Sequence, residues 1–206
     1  MAPMKVAPVL PTEELVRSAC REFADGITDR ALRELFSQYP RNDNHAHVLL
    51  KVVALNRLYS AGILAVYDVA WHIYQHAPEI DAALKIGVPD IVDRIAKGTN
   101  VKLKATGKEV HYWSFATKYC SWHNPTAYPL WDSRVCRYLR SLKKTEYAEF
   151  AHPDLWEHYT EFKNLMSRFR TQAKLESFTF KEIDTFLWKY GEKPKRTERT
   201  TSGAQI

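Results

Sequence analysis

Apolar residues return at helical spacing in at least six separate segments of this 206-residue chain, and prolines and glycines punctuate the intervals. Val16, Cys20 and Phe23 share one face of a first segment; Leu32, Leu35, Phe36 and Tyr39 share the face of the next, which Pro40 closes. Val48, Val52, Leu55 and Tyr59, then Ile63, Tyr67 and Trp71, continue the period. A strand turns every second side chain to one face and a helix every third or fourth, so the expected class is all-α. Thr12 ahead of Glu13 and Glu14 predicts a capped helix to about Ala24. A second helix is expected from Thr28, a third over His45–Leu58, and a fourth from Ser60 to Gln75 that Pro78 ends. Glu79–Lys85 reads as a short turn, and Pro89 opens a helix over Asp90–Ala96. Helical patterns follow from His111 to Asn124, from about Asp132 to Leu142, and from Pro153-Asp154 to about Lys174. A last helix begins at Thr179, where Thr179 and Glu182 make a capping box, and ends at Gly191. Only residues 99–110 depart from this pattern. There Lys102, Lys104 and Lys108 alternate with apolar residues around Gly107, which predicts a small β-hairpin or an extended basic loop.

The expected organisation is an arm over residues 1–11, one helical domain over 12–191 (or two small lobes around a cleft), and a polar, basic, mobile tail over 192–206. Charge is unevenly placed. Residues 1–100 hold 11 Lys/Arg against 12 Asp/Glu, and residues 101–206 hold 19 against 12, so the second half carries a net +7. A basic half is compatible with a polyanionic partner such as nucleic acid. Three widely spaced cysteines, Cys20, Cys120 and Cys136, argue against a disulfide framework and for a reducing compartment. The N-terminal apolar stretch is too short for a signal peptide, and the apolar span Val48–Ile73 is broken by Lys51, Asn56, Arg57 and Asp68. The expected location is cytoplasmic, or nuclear in a eukaryote, with no membrane association.

The stretch Trp113–Arg137 carries the chemistry. Lys118 sits among aromatic and small residues, and fourteen residues later Asp132 follows Pro129 at a predicted helix start. A desolvated amine loses its proton more readily and becomes a nucleophile, while a nearby carboxylate can stabilise a developing cation. The plain structural reading is two polar residues at helix starts, Asp132 being a good N-cap. The two readings of Asp132 are compatible, because one oxygen can cap the helix while the other faces a site.

Ser114, Phe115, Ala116, Lys118 and Tyr119, followed by Asn124, Pro125, Tyr128, Pro129, Asp132 and Val135, resemble the catalytic segment of helix-hairpin-helix base-excision DNA glycosylases, in particular the small 8-oxoguanine glycosylase-like branch. The glycine-x-glycine usual before that lysine is absent, and Phe115, Ala116 and Thr117 stand in its place. The closing segment 178–191 is similar to the same branch. The resemblance implies a two-lobed helical fold, a monomer without cofactor or metal, and double-stranded DNA with a damaged or modified base as partner, an 8-oxoguanine-like purine first. It implies excision of the base with associated AP lyase activity, Lys118 attacking the sugar and Asp132 assisting. It also implies DNA contacts from Asn56, as the amide filling the gap of a flipped base, and from Arg57, Lys102, Lys104, Lys108, Arg134 and Arg137. Trp113, Phe115, Trp122 and Trp131 are the candidates to stack on a base, although most tryptophans in a chain of this size are expected in the core.

Two other readings stand beside this one: a non-catalytic helical DNA-binding module, and a protein-interaction scaffold whose basic half is only solvated. Metal binding is disfavoured. His45 and His47, near Asp43, are two apart on a helix and diverge, while Cys120 and His123 lack a second ligand pair apart from distant Cys136.

Overall fold

The computed structural model describes residues 7–24, 26–97, 99, 101–102, 106–151 and 158–191. Within them the fold is all-α, with α1 (Glu13–Phe23), α2 (Ile27–Gln38), α3 (His45–Leu58), α4 (Val66–Gln75), α5 (Ala77–Ile86), α6 (Asp90–Ala96), α7 (Trp113–His123), α8 (Ser133–Ser141), α9 (Tyr159–Gln172) and α10 (Phe180–Tyr190). Short 3₁₀ turns at Leu142–Lys144 and Ala148–Phe150 follow α8. No described helix is long and apolar enough to cross a membrane.

Helix α7 is the centre of the packing. It touches α2, α3, α5 and α6, and Trp113 together with every residue from Phe115 to Ser121 is buried. A helix so enclosed has no solvent stripe, and polar Thr117, Lys118 and Ser121 are buried in it beside Phe115, Ala116, Tyr119 and Cys120. Helix α1 packs on α10, and α10 packs on α8. The buried apolar residues form one contiguous cluster from Val16 to Leu187.

Side-chain caps start the helices where short polar residues stood in the sequence. Thr12 Oγ1 accepts from Leu15 N (3.3 Å) and Asn44 Oδ1 from His47 N (3.2 Å). The Thr179–Glu182 box is formed in both directions. Each such cap satisfies an end-of-helix N–H and contributes about 1 kcal/mol.

Three expectations are corrected. The fourth helix begins at Val66, not Ser60. Ser60 and Gly62 adopt left-handed backbone (φ 48° and 72°), and the Asn56 side chain clamps Ile63 through both its N–H and its C=O (2.9 Å each). A helix cannot run through two left-handed residues. Residues 79–85 are helical rather than a turn, and Pro78 stands in the first turn of α5 instead of ending α4, because a proline there lacks only an N–H that has no partner. In the segment 99–110 the described residues form one antiparallel bridge, Lys102 to Glu109, beside a Val110 N–H···O Val101 bond of 2.8 Å, in keeping with the expected small hairpin. Lys118 lies in the middle of α7, not at a helix entrance. Helix α9 begins at Tyr159; the expected start at Pro153-Asp154 and the tail 192–206 lie outside the described residues.

A fully buried lysine fixes the corner after α2. The Lys51 ammonium donates to Tyr39 O (3.1 Å), Arg41 O (3.0 Å) and Asn42 Oδ1 (2.7 Å), and lies 3.2 Å from His123 Nε2. Asn42 in turn donates to Asp81 (2.7 Å) and accepts from Tyr119 OH. Cation near the end of a helix suits its dipole, and three acceptors offset the loss of water. Burial nevertheless pushes the Lys51 amine down to about 8, against the pull of Asp81 and Asp43.

Candidate functional site

The two residues singled out by sequence approach one another through a tie between α7 and the chain before α8. Thr117 Oγ1 donates to Trp131 O (3.2 Å) and meets Trp131 N (3.3 Å), which holds residue 131 against α7. Tyr159 OH donates to Pro129 O (2.9 Å) and secures the same strand of chain from the α9 side. The next residue, Asp132, caps α8 with a single oxygen: Oδ1 accepts from Arg134 N (2.8 Å) and Val135 N (2.9 Å). Oδ2 is left outside the cap.

Lys118 is 4% exposed, and its Nζ donates to Ser114 Oγ one turn earlier on α7 (2.7 Å). The ammonium lies 5.7 Å from the centre of the Tyr59 ring. A second lysine, Lys181 on α10, lies 5.6 Å from the same ring, and its Nζ donates to Tyr59 OH (3.1 Å). Tyr59 OH then donates to Asp29 Oδ1 (3.3 Å). Lys181 pairs with Asp184 one helical turn along (3.5 Å), while Asp184 Oδ1 is buried with no hydrogen-bond partner. Gly191 makes this convergence of α10 on α8 possible: a Cβ there would stand 2.2 Å from Arg134 O.

The electrostatics follow from burial and from four charges in one small volume. Desolvation pushes the Lys118 amine below the usual lysine range; Asp132 and Asp184 oppose this, and the Lys181 ammonium reinforces it. Asp184 is pushed up to about 7, first by burial and also by Asp132, against the pull of Lys181 and Lys118. Lys181 is held charged by Asp184 and Tyr59 despite its burial. The cluster thus joins an amine that loses its proton more readily than a solvated lysine does to a carboxyl that exchanges one near neutrality. That pairing is suited to nucleophilic addition with local proton transfer.

The remaining sequence candidates are dispersed. Asn56 is engaged in the Ile63 clamp, and Arg57, Lys102 and Lys108 are exposed. Lys104 lies outside the described residues. Arg134 stacks on Trp188 (3.7 Å), and Arg137 donates to Gly191 O. Phe115, Trp113 and Trp131 are packed in the core, while Trp122 is half-buried. His45 lies among Tyr67, Trp71 and Tyr74, and His47 stacks on Tyr39 (3.9 Å). Among the described residues no three His, Cys, Asp or Glu gather as a metal site, and the three cysteines are free. Sequence reasoning assigned no chemistry to Tyr59, Lys181 or Asp184. The available signal was Lys181 and Asp184 three apart beside the buried stripe Ile183, Phe186, Leu187.

A sequence model of the family HI_0787_N, described as an N-terminal domain, matches residues 16–127, just over half of the chain. The matched region contains Lys118, Ser114 and Tyr59 and stops before Asp132, Lys181 and Asp184. A Haemophilus influenzae protein described as uncharacterized is 36% identical over 138 residues, which cover 66% of this chain and 62% of that protein. No solved structure matches the chain.

Proposed function

The chain belongs to the HI_0787_N family, and for it we propose base excision from damaged or modified DNA, with Lys118 as the nucleophile. The observation that carries the reading is a lysine almost wholly buried, hydrogen-bonded to a neutral hydroxyl, with two carboxylates in electrostatic reach. The helix-hairpin-helix resemblance around Lys118 and Asp132 supports the substrate class, an 8-oxoguanine-like purine first. In this proposal the two-lobed glycosylase fold is the framework, and a duplex with its target nucleotide turned out is the ligand.

Lys118 as free amine attacks the sugar C1′. A C1′–N bond to the lysine forms as the bond to the base breaks, and the base leaves with the electron pair. Asp184 takes up the proton that Lys118 releases, and Asp132 stabilises the cationic sugar through the oxygen outside its cap. The sugar ring then opens: the C1′–O4′ bond breaks, O4′ takes the proton held by Asp184, and the C1′–N link becomes a protonated imine, from which loss of a C2′ proton expels the 3′ phosphate, the associated AP lyase step. Tyr59 covers the amine in the free protein and must move aside to admit the sugar. Exposed Arg57, Lys102 and Lys108 supply phosphate contacts.

The test is borohydride trapping on duplexes containing 8-oxoguanine, uracil or an abasic site, with parent and Lys118→Gln compared. The parent is expected to give a covalent complex, and the variant none, while binding to an uncleavable abasic analogue is retained. A variant that traps at the parent's level assigns the attack to another amine. The second reading, a DNA-binding module without catalysis, draws on the 4% exposure of Lys118. It predicts salt-dependent binding and no trapping by either protein.

A further inference from the structure

We propose that the outer face of the α3–α4 helical hairpin is the surface on which a second copy of this chain docks. Two hairpins close into a four-helix bundle about a two-fold axis parallel to the helices. The proposal does not rest on the lysine chemistry, and it departs from the monomer that the glycosylase resemblance implies.

Helices α3 and α4 run antiparallel. His45 at the start of α3 packs on Trp71 and Tyr74 late in α4 (ring centroids 5.1 and 5.5 Å apart), while Asn56 near the end of α3 clamps Ile63 ahead of α4. Each helix buries one stripe in the core, Val48, Val52 and Leu55 on α3 and Val69, Ala70 and Ile73 on α4. A second stripe is bare. Ala46, Leu50 and Val53 recur at intervals of four and three along α3, and Leu64, Tyr67 and Trp71 at three and four into α4. All six are exposed, Leu64 by 90% and Tyr67 by 65%. The two stripes adjoin, because Tyr67 and Trp71 both rest on His45 in the seam between the helices. A helix that is apolar on two faces calls for cover on both, and stripes at this spacing form the seams of helix bundles. These side chains leave on the order of 500 Å² bare, more than half of the ~800 Å² that each partner brings to a standard interface. Charge selects the occupant. The face is charged only at its loop end, by Arg57 on α3 and Asp68 on α4, and among the described residues neither makes an ion pair. About the proposed axis α3 lies over the α4 of the second copy with loop ends together, so each Arg57 meets an Asp68 of the other chain. A face carrying one sign of charge would repel its own copy; this one pairs with it. A guanidinium has five N–H donors, enough at the rim for that carboxylate and for a phosphate, so the duplex contact proposed for Arg57 is kept.

The test is sedimentation velocity of the full chain from about 1 to about 300 µM. The parent is expected to sediment as a dimer by the top of that range. Leu50→Glu, at an exposed helical position that tolerates glutamate, should weaken association by about tenfold or more with an unchanged circular dichroism spectrum. Arg57→Asp and Asp68→Arg should each weaken it by about tenfold or more, because either change sets like charges opposite one another twice. Mixed in equal amounts, these two variants should regain the parent's dimer, since the mixed pair carries opposite charges at both contacts. A defect in folding could not be repaired by mixing. A parent that stays monomeric to the top of the range overturns the proposal and leaves the face to a different protein. So does Leu50→Glu associating like the parent, or a mixture of the two charge variants that remains monomeric.

Discussion

Replacing Asp184 by asparagine should make the protein more stable, and more so as the pH rises. Asp184 is 5% exposed, has one oxygen without a partner, and shares its surroundings with Asp132. Its carboxyl is held at about 7, against 3.8 for the free group. A raised carboxyl means the folded state keeps its proton longer than the unfolded chain does. Stability is therefore unaffected below about pH 4, falls as the pH climbs from there to 7, and stays low above it. The rise from 3.8 to about 7 corresponds to a penalty of roughly 4 kcal/mol at pH 8, and of about 1 kcal/mol at pH 4.5. Asparagine resembles the protonated acid and does not titrate, so it removes the penalty. The loss of the 3.5 Å pair with Lys181 and local relaxation reduce the gain, and a net of about 1–3 kcal/mol at pH 8 is expected. Urea unfolding of parent and variant at pH 4.5 and pH 8 measures it, as a higher midpoint at unchanged slope. If Asp184 moves a proton for Lys118, the stabler variant is also the slower one, the trade-off expected when a site holds a group the fold would rather lose. A variant no more stable at pH 8, or with the same gain at both pH values, refutes the argument from burial and charge.

Three further outcomes follow from the same geometry. Asp132→Asn should melt within a few tenths of a kcal/mol of the parent, since asparagine also caps, yet lose about 10²-fold or more in product formation on damaged duplex; normal activity would leave Asp132 a cap alone. Lys51→Met should cost about 3–5 kcal/mol by leaving Tyr39 O and Arg41 O without their donor and Asn42 Oδ1 with Tyr119 OH alone, read as a fall in melting temperature. Gly191→Ala should cost about 1–3 kcal/mol or more, because the added methyl meets backbone of Arg134 and Leu187 that cannot turn aside; chemical denaturation would detect it.

The all-α class was legible in the chain because a period of three to four apolar residues is a local property, and so were the caps at Thr12, Asp132 and Thr179, whose partners lie two or three residues away. Local pattern failed where the backbone departs from it. The left-handed Ser60 and Gly62 shorten α4, and Pro78 is read correctly only when the helix that follows it is known. Lys51 looked like a polar break in an apolar span, but its acceptors come from the corner after α2, and only the packing of α3 on that corner brings them to the amine. The site shows the same division. Sequence alone singled out Lys118 and Asp132, because both lie in one short stretch. Tyr59, Lys181 and Asp184 join them from α3 and α10, residues separated by more than a hundred positions, and no periodicity encodes that meeting. What decides it is the burial of α7 on every side and the close approach of α10 to α8 at Gly191. Local chemistry is written residue by residue, whereas the desolvation that shifts the proton affinities of Lys118 and Asp184 exists only after distant helices have closed around them.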